Sequence, residues 1–398
     1  MTASFIFTRK SNWKPPRTDM GLSNLSNTFR YISFFCLLCI GTFCFSQSQK
    51  GVWLTDVASK ALDSKEGIEE VVQRCKIYGI DQIYVVVWNR GYTLYPSEVM
   101  QGEFGKKVSP RFAERDILQE LIAIAHAEGL KVHAWFEFGF SSSYQEEDGG
   151  HILRARPEWK ALDSAGKLVS KNGFQWMNAF DTEVQDFLLS LITEVVENYD
   201  IDGIQGDDRL PANPSTAGYD ALTVSLYKKE HEGKSPPQDY KDADWIDWRA
   251  KRLNRFAQRI HVTVKSIKPD IAVTMAPSIF PWSKEEYLQD WPTWVKNGWV
   301  DAIIPQVYRY DIKAYTTTLD ANLEFMPAGS TIPFVPGVLL KVGDYTPSRR
   351  FLKKMIRVNR ERGLDSEVFF FYEGLKEHER FFEKAYGKIN LNKRNDPR

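Results

Sequence analysis

The stretch Asp202-Gly-Ile-Gln-Gly-Asp-Asp-Arg209 reads as a short buried strand that ends in two adjacent carboxylates. It follows Tyr199-Asp200, where a helical pattern stops. Side chains alternate along a strand, so Gln205 and Asp207 face the same side. If that side is the inside of a barrel, Asp207 emerges at the C-terminal mouth and Asp202 lies at the opposite end. Charge is expensive to bury without a partner, so two carboxylates at a strand end point to chemistry. The structural alternative is that Asp208 caps the next turn and Asp207 pairs with Arg209.

Seven further apolar runs flank this one: 51–55, 82–88, 131–138, 271–276, 301–308, 334–340 and 368–372. Each is rich in β-branched or aromatic residues and too short for a helix, as buried parallel strands are. Helical patterns such as Ile68-Val71-Val72-Cys75 and Phe187-Leu188-Ile192-Val195 lie between them, and Gly79, Gly129 and Gly363 sit where helices should stop. Eight strands alternating with helices predict a single (β/α)8 TIM barrel, with long βα loops after strands 3, 4 and 5. A doubly wound sheet is the rival, but no glycine-rich phosphate loop follows the first strand.

Lys+Arg and Asp+Glu both number 52 in 398 residues, so no charge excess favours nucleic acid. The 12 Trp suit sugar stacking or a large core. Arg30 followed by the apolar run Tyr31–Phe45 and then Ser46-Gln-Ser-Gln-Lys50 reads as a signal peptide cleaved near Ser46 or Ser48. The run is short for a membrane span, an uncleaved anchor being the alternative. The expected division is a leader and signal at 1–49, a barrel at 50–387 and a polar tail at 388–398. The expected product is secreted or periplasmic, with no stable membrane insertion. Cys36, Cys39 and Cys44 fall in the leader, which leaves Cys75 and no disulfide framework. With only six His, no metal-binding pattern stands out, no cofactor is expected, and no serine-hydrolase elbow or Walker loop appears.

Glycoside hydrolysis needs two carboxyl groups flanking the scissile bond. The candidates are Asp207, Asp208, Glu137 at the end of the third strand and Glu373 at the end of the eighth. Candidate substrate contacts are Trp88, Asn89, Trp135, Gln205, Trp282, Gln306, Tyr308 and Arg309. Asp207 is expected to be ionised, one of the two glutamates to carry a raised pKa, and Arg209, Arg90 or Arg309 to reach the Asp pair.

Gly51-Val-Trp-Leu, His133-Ala-Trp, Tyr199-Asp-Ile-Asp-Gly-Ile-Gln-Gly-Asp-Asp208 and Gly298-Trp-Val-Asp-Ala-Ile-Ile-Pro-Gln-Val-Tyr308 together resemble the bacterial glycosyl hydrolase-like family 10 over roughly residues 50–375. Arg209 and Arg309 stand where that family usually has aromatic residues. The fourth-strand string is also similar to that of α-amylase-type barrels, where an Arg stands at the place of Gln205 and the nucleophilic Asp at that of Asp207. The fifth strand ends Met275-Ala-Pro-Ser278 without a Glu, so Glu137 or Glu373 must supply the acid. The resemblance implies a polysaccharide or glycan-strand substrate. The alternatives are a carbohydrate-binding protein on a catalytically silent barrel, and a deacetylase, which needs metal ligands.

Overall fold

The computed structural model describes residues 48–386. The expected signal peptide and polar tail fall almost wholly outside them. Eight parallel strands form one sheet: β1 (Lys50–Leu54), β2 (Gln82–Val86), β3 (Lys131–Trp135), β4 (Gly203–Gly206), β5 (Ala272–Met275), β6 (Ala302–Ile303), β7 (Gly337–Leu339) and β8 (Glu367–Phe370). Their order is β6-β5-β4-β3-β2-β1-β8-β7. The sheet is curled, and its two edges meet at isolated parallel bridges, Ile303 with Phe334 and Gln306 with Gly337. There Val335 N–H donates to Ile303 O at 2.8 Å and Gly337 N–H to Pro305 O at 2.9 Å.

Helices return the chain between strands. The principal ones are α1 (Lys65–Ile77), α2 (Ile117–Ala127), α3 (Thr182–Asn198), α4 (Ala243–Ile267), α5 (Trp291–Lys296), α6 (Ile312–Leu323), α7 (Arg349–Glu361) and α8 (Glu379–Ala385). α1 shows the local logic. Ser64 caps it by accepting from Gly67 N–H, and Ile68, Val71, Val72 and Cys75 form its buried stripe. Each such aliphatic residue contributes roughly 1.5–3 kcal/mol by leaving water. Cys75 is a buried free thiol that serves as core.

Inside the sheet, large side chains are matched to glycines. Tyr84 on β2 stacks on His133 of β3 with ring centroids 4.5 Å apart. A Cβ at Gly51 would lie 2.7 Å from the Tyr84 ring, and one at Gly203 would collide with the His133 ring. Burial lowers the His133 pKa to about 4, so its imidazole is neutral there, with Nε2 2.6 Å from Gln82 Oε1. Higher up, Trp53 Nε1 donates to Gln205 Oε1 at 2.6 Å. These contacts fill the barrel interior below the mouth.

Three connections carry extra structure. The one after β3 holds an antiparallel three-stranded sheet (Ser141–Tyr144, Phe174–Trp176 and Ser170–Lys171) and a helix, Gly150–Ala155. The one after β4 holds the helix Ala221–Glu230, and the one after β5 the helix Trp282–Tyr287. Among the described residues no helix is long and apolar enough to cross a membrane.

Candidate active site

The ends of β3 and β4 converge on Arg209, and the end of β6 reaches Asp207 through Gln306. Gly139, at φ 49, lies so close to the Arg209 carbonyl that any Cβ there would clash. Phe140 N–H donates to that same carbonyl at 3.0 Å. The loop after β3 thereby fixes the backbone of Arg209, and the aromatic rings of Phe174 and Phe138 lie 4.6 and 5.7 Å from its guanidinium carbon. Its Nε donates to the Glu137 carbonyl at 2.9 Å. Its terminal nitrogens lie 3.3 Å from Asp207 Oδ2, 2.9 Å from Asp208 Oδ1 and 3.9 Å from Glu137 Oε1. One guanidinium thus serves three carboxyl groups. Of the three arginines considered, Arg209 is the one that reaches the Asp pair.

Asp207 is buried. Its Oδ1 accepts from Asp208 N–H at 2.7 Å and from Gln306 Nε2 at 2.7 Å. Its carbonyl accepts from Gln289 Nε2 at 2.9 Å. Burial and the neighbouring Asp208 charge push the Asp207 pKa well up, and Arg209 opposes them. This shift runs against the expectation that Asp207 stands ionised, so its charge depends on which carboxyl of the cluster holds the proton. Asp207 and Glu137, both raised and both beside the one guanidinium, titrate together, and the pair retains a proton more readily than separate carboxylates do.

Glu137 Oε2 accepts from Asn89 Nδ2 at 2.8 Å and Thr55 Oγ1 at 3.2 Å. Asn89 also donates to Asp56 Oδ1 at 3.0 Å. Burial pushes the Glu137 carboxyl up to about 7, Arg209 pulls against this, and Asp56 adds to it. Yet 13% of the Glu137 side chain stays exposed, enough for a ligand to meet it. The Tyr308 phenol, half-buried, is raised well above its ordinary value by burial and by Asp207, Asp208 and Glu137. It therefore remains a hydrogen-bond donor facing all three.

The structure gathers Asp207, Asp208, Glu137, Asn89, Gln306 and Tyr308 and separates the other candidates from them. Trp88 does not line the mouth. It is fully buried, donates to Gly139 O at 2.9 Å and packs edge-on against Phe187 of α3. The physical reason is a break at Val87, after which Trp88–Asn89 pairs with Tyr92–Thr93 in a separate hairpin. Gln205 and Trp135 are buried below the mouth: Gln205 is held by Trp53 and Thr274, and the Trp135 ring lies 6.4 Å from that of Trp53. Arg309 turns away, its guanidinium bonded to Thr318 Oγ1 and the Tyr308 carbonyl. Glu373 accepts from Ser59 and pairs with Lys376 at 3.8 Å, and its ion pairs do not include Arg209. Trp282 is 43% exposed, with its ring 5.3 Å from that of Tyr287. Thr55 and Asp56, at the end of β1, are site residues that the strand pattern alone did not single out. Among the described residues no His, Cys, Asp and Glu cluster is arranged to hold a metal ion.

A profile of the glycosyl hydrolase-like 10 family matches residues 48–346. The chain belongs to this family. It is 25% identical over 321 residues to glycosyl hydrolase DigH of Escherichia coli K12, covering 68% of this chain and 69% of the relative. It is 25% identical over 325 residues to glycosyl hydrolase YngK of Bacillus subtilis, covering 70% of this chain and 59% of that one. Among solved structures, the glycoside hydrolase domain of PgaB from Bordetella bronchiseptica superimposes with a TM-score of 0.62 at 11% identity, covering 85% of this chain and 99% of that domain. At that identity the likeness speaks for the fold. A glycosyl hydrolase-like protein is thus the coarse description that family and fold support.

Proposed function

We propose that the chain is a secreted glycoside hydrolase that cleaves a polysaccharide or glycan strand at the mouth of a closed (β/α)8 barrel. The observation that carries this reading is Arg209 shared between Asp207 and Glu137. Two carboxyl oxygens held within 4 Å of one guanidinium nitrogen are at most about 7 Å apart, a bound that admits the roughly 5–5.5 Å separation of retaining glycosidases.

The hydrogen bonds divide the roles. Asp207 receives three N–H donors, from Asp208, Gln306 and Arg209, and these favour its charged form. Glu137 Oε1 has only the distant Arg209 nitrogen at 3.9 Å, so the proton kept by the cluster is best placed there. Glu137 then acts as the general acid on the leaving oxygen. Asp207 stabilises or attacks the developing oxocarbenium centre, or orients water toward it. Gln306 holds Asp207 in place, and Tyr308 and Asp208 are placed to bind sugar hydroxyls.

The test is incubation of the purified protein with a polysaccharide panel, with new reducing ends as the readout and Asp207→Asn as control. Cleavage of at least one glycan by the wild type and none by the variant supports the reading. Binding without cleavage across the panel would favour a carbohydrate-binding protein.

A further inference from the structure

α7 (Arg349–Glu361) divides sharply into two faces. Leu352, Met355, Val358 and Asn359 are buried against the barrel. Arg349, Arg350, Lys353, Lys354 and Arg357 are exposed. Successive helical residues turn by about 100°, so these five cations share one face, opposite the buried stripe. At about 1.5 Å of rise per residue they occupy roughly 12 Å of helix. The whole chain has 52 Lys and Arg against 52 Asp and Glu, so this concentration of charge is local.

Among the described residues no carboxylate holds these five charges. The ion pairs here are those of Arg360 and Arg362, at and just past the C-terminal end of α7, with Glu367, Asp365, Asp320 and Glu361. Within the stripe, Arg349 and Lys353, Arg350 and Lys354, and Lys353 and Arg357 are like charges four residues apart, which repel one another. Arg349 and Arg350 also stand in the first turn, where the helix dipole disfavours positive charge. The arrangement costs the helix stability, and an anionic partner offsets that cost.

The N-terminal end of the stripe meets two loops of the barrel mouth. A groove of about 520 Å³ is lined by Tyr310 after β6, Tyr345 after β7, and Arg350 and Lys354 of α7. Tyr310 is 64% exposed and meets Tyr345 edge-on, with ring centroids 4.7 Å apart. Val342, 43% exposed, pairs with Tyr345 across the turn of the second loop. Asp311 lines the groove and caps α6 through Ala314 N–H, and Asp344 is exposed in the turn. A bilayer interface accepts this combination: the tyrosine and the aliphatic side chain enter the headgroup layer while the cations stay at the phosphates. A soluble polyanion uses the cations and leaves Tyr310 and Val342 in water.

We propose that the outer face of α7, with the tips of the loops after β6 and β7, is a docking surface for an anionic phospholipid bilayer. The five cations meet lipid phosphates, and Tyr310 and Val342 enter the headgroup layer. Clusters of about four to eight Lys or Arg are what anionic bilayers attract, each residue near the surface strengthening binding by about fivefold. α7 starts at the end of the barrel where β7 finishes, the end that carries the carboxyl cluster, so docking holds the mouth close to the bilayer. The inference does not rest on the hydrolase reading.

The test is cosedimentation of the full chain with two kinds of vesicle: equal parts phosphatidylglycerol and phosphatidylcholine, and phosphatidylcholine alone. The neutral vesicles register any binding by the apolar run 31–45, so the ratio of the two affinities reads the charge. The expected ratio is tenfold or greater at low salt and near unity at high salt, where the charges are screened. It should also fall to near unity when Arg350→Gln, Lys353→Gln, Lys354→Gln and Arg357→Gln are combined. Gln is a good helix former and the changes remove like-charge pairs, so this variant should melt no lower than the wild type. Tyr310→Ser with Val342→Ser should weaken binding to the anionic vesicles severalfold and leave binding of soluble inorganic polyphosphate unchanged. Equal affinity of the wild type for both vesicles overturns the proposal. A preference that persists in the fourfold variant overturns it too, since it then belongs elsewhere, for instance to the basic stretch 388–398. Polyphosphate binding without vesicle preference, or vesicle binding indifferent to Tyr310 and Val342, assigns the stripe to a soluble polyanion and overturns the bilayer as its partner.

Discussion

Arg209 Nη2 lies 3.3 Å from Oδ2 of Asp207, two residues before it in the chain, while its Nε donates to the Glu137 carbonyl, so one guanidinium ties the end of β4 to the loop after β3. Arg209 is the cation for three carboxyls, so its loss leaves buried charge uncompensated. Arg209→Met should destabilise the fold by about 3–5 kcal/mol in chemical denaturation. It should also cut turnover by more than about a hundredfold, the order expected for a catalytic electrostatic contact. Near-wild-type stability in that variant would mean that the carboxyls find another counter-charge.

The pH profile follows from Glu137. A general acid works while protonated, and its pKa in the free protein is about 7. We expect kcat/KM to fall about tenfold per pH unit above that value, and to fall again toward acid pH as the raised Asp207 carboxyl takes up a proton. Glu137→Gln should abolish this alkaline limb along with most of the activity on natural glycan. A limb that stays in place when Glu137 is replaced would assign it to another group.

Stability should depend on the same carboxyl. Its pKa is about 7 in the folded chain against a reference of 4.5, so the folded state binds the proton more tightly. Stability contributed by that proton is present at pH below 4.5 and is lost as pH rises through 7. The difference is at most about 3 kcal/mol. Glu137→Gln should therefore raise the melting temperature at pH 8 by several degrees and change it little at pH 4.5. A destabilised variant at pH 8 would contradict the burial argument.

Much of the scaffold was legible because parallel strands buried on both faces are continuous apolar runs, and each of the eight runs overlaps a strand of the sheet. Their ends were less legible. The sixth apolar run spans 301–308, but β6 is Ala302–Ile303 and the chain beyond it meets the β7 segment through isolated bridges at Phe334 and Gly337. Alternation predicts a face and not a depth, which is why Gln205 and Trp135 looked like mouth residues and lie beneath it. A break is hidden as well: the apolar run carries Trp88 to a strand end, but the strand stops at Val86 and the hairpin after it turns Asn89 toward Glu137. Asp56 was hidden because it follows an apolar run whose only evident message was a strand. The pairing of Glu137 with Arg209 depends on a loop approach at Gly139 that spacing in sequence does not encode.

Trp88 gives a test of that correction. As a fully buried side chain against Phe187, its replacement by Ala should cost about 3–5 kcal/mol of stability. Trp88→Phe should keep KM for any cleaved glycan within about twofold, measured with the folded variant. A large rise in KM with stability intact would return Trp88 to the substrate wall.

Gln306 has the opposite signature. It donates to Asp207 Oδ1 at 2.7 Å and to the Ala276 carbonyl at 3.0 Å. Gln306→Leu should lower kcat by roughly ten- to a hundredfold, since a hydrogen bond to a charged group is worth about 1.5–3 kcal/mol. Unaltered kcat in the folded variant would mean that Asp207 is held by Arg209 and Asp208 alone.

The division of labour between Glu137 and Asp207 is tested most directly by changing the leaving group. A natural glycan needs protonation of its leaving oxygen, whereas a dinitrophenyl glycoside of the cleaved sugar departs without it. Glu137→Gln should lose about a thousandfold or more on the glycan, the upper range for general acid catalysis, and stay within about tenfold of wild type on the activated glycoside. Asp207→Asn should lose activity on both. Equal losses on the two substrates in Glu137→Gln, or undiminished turnover in Asp207→Asn, would contradict the account.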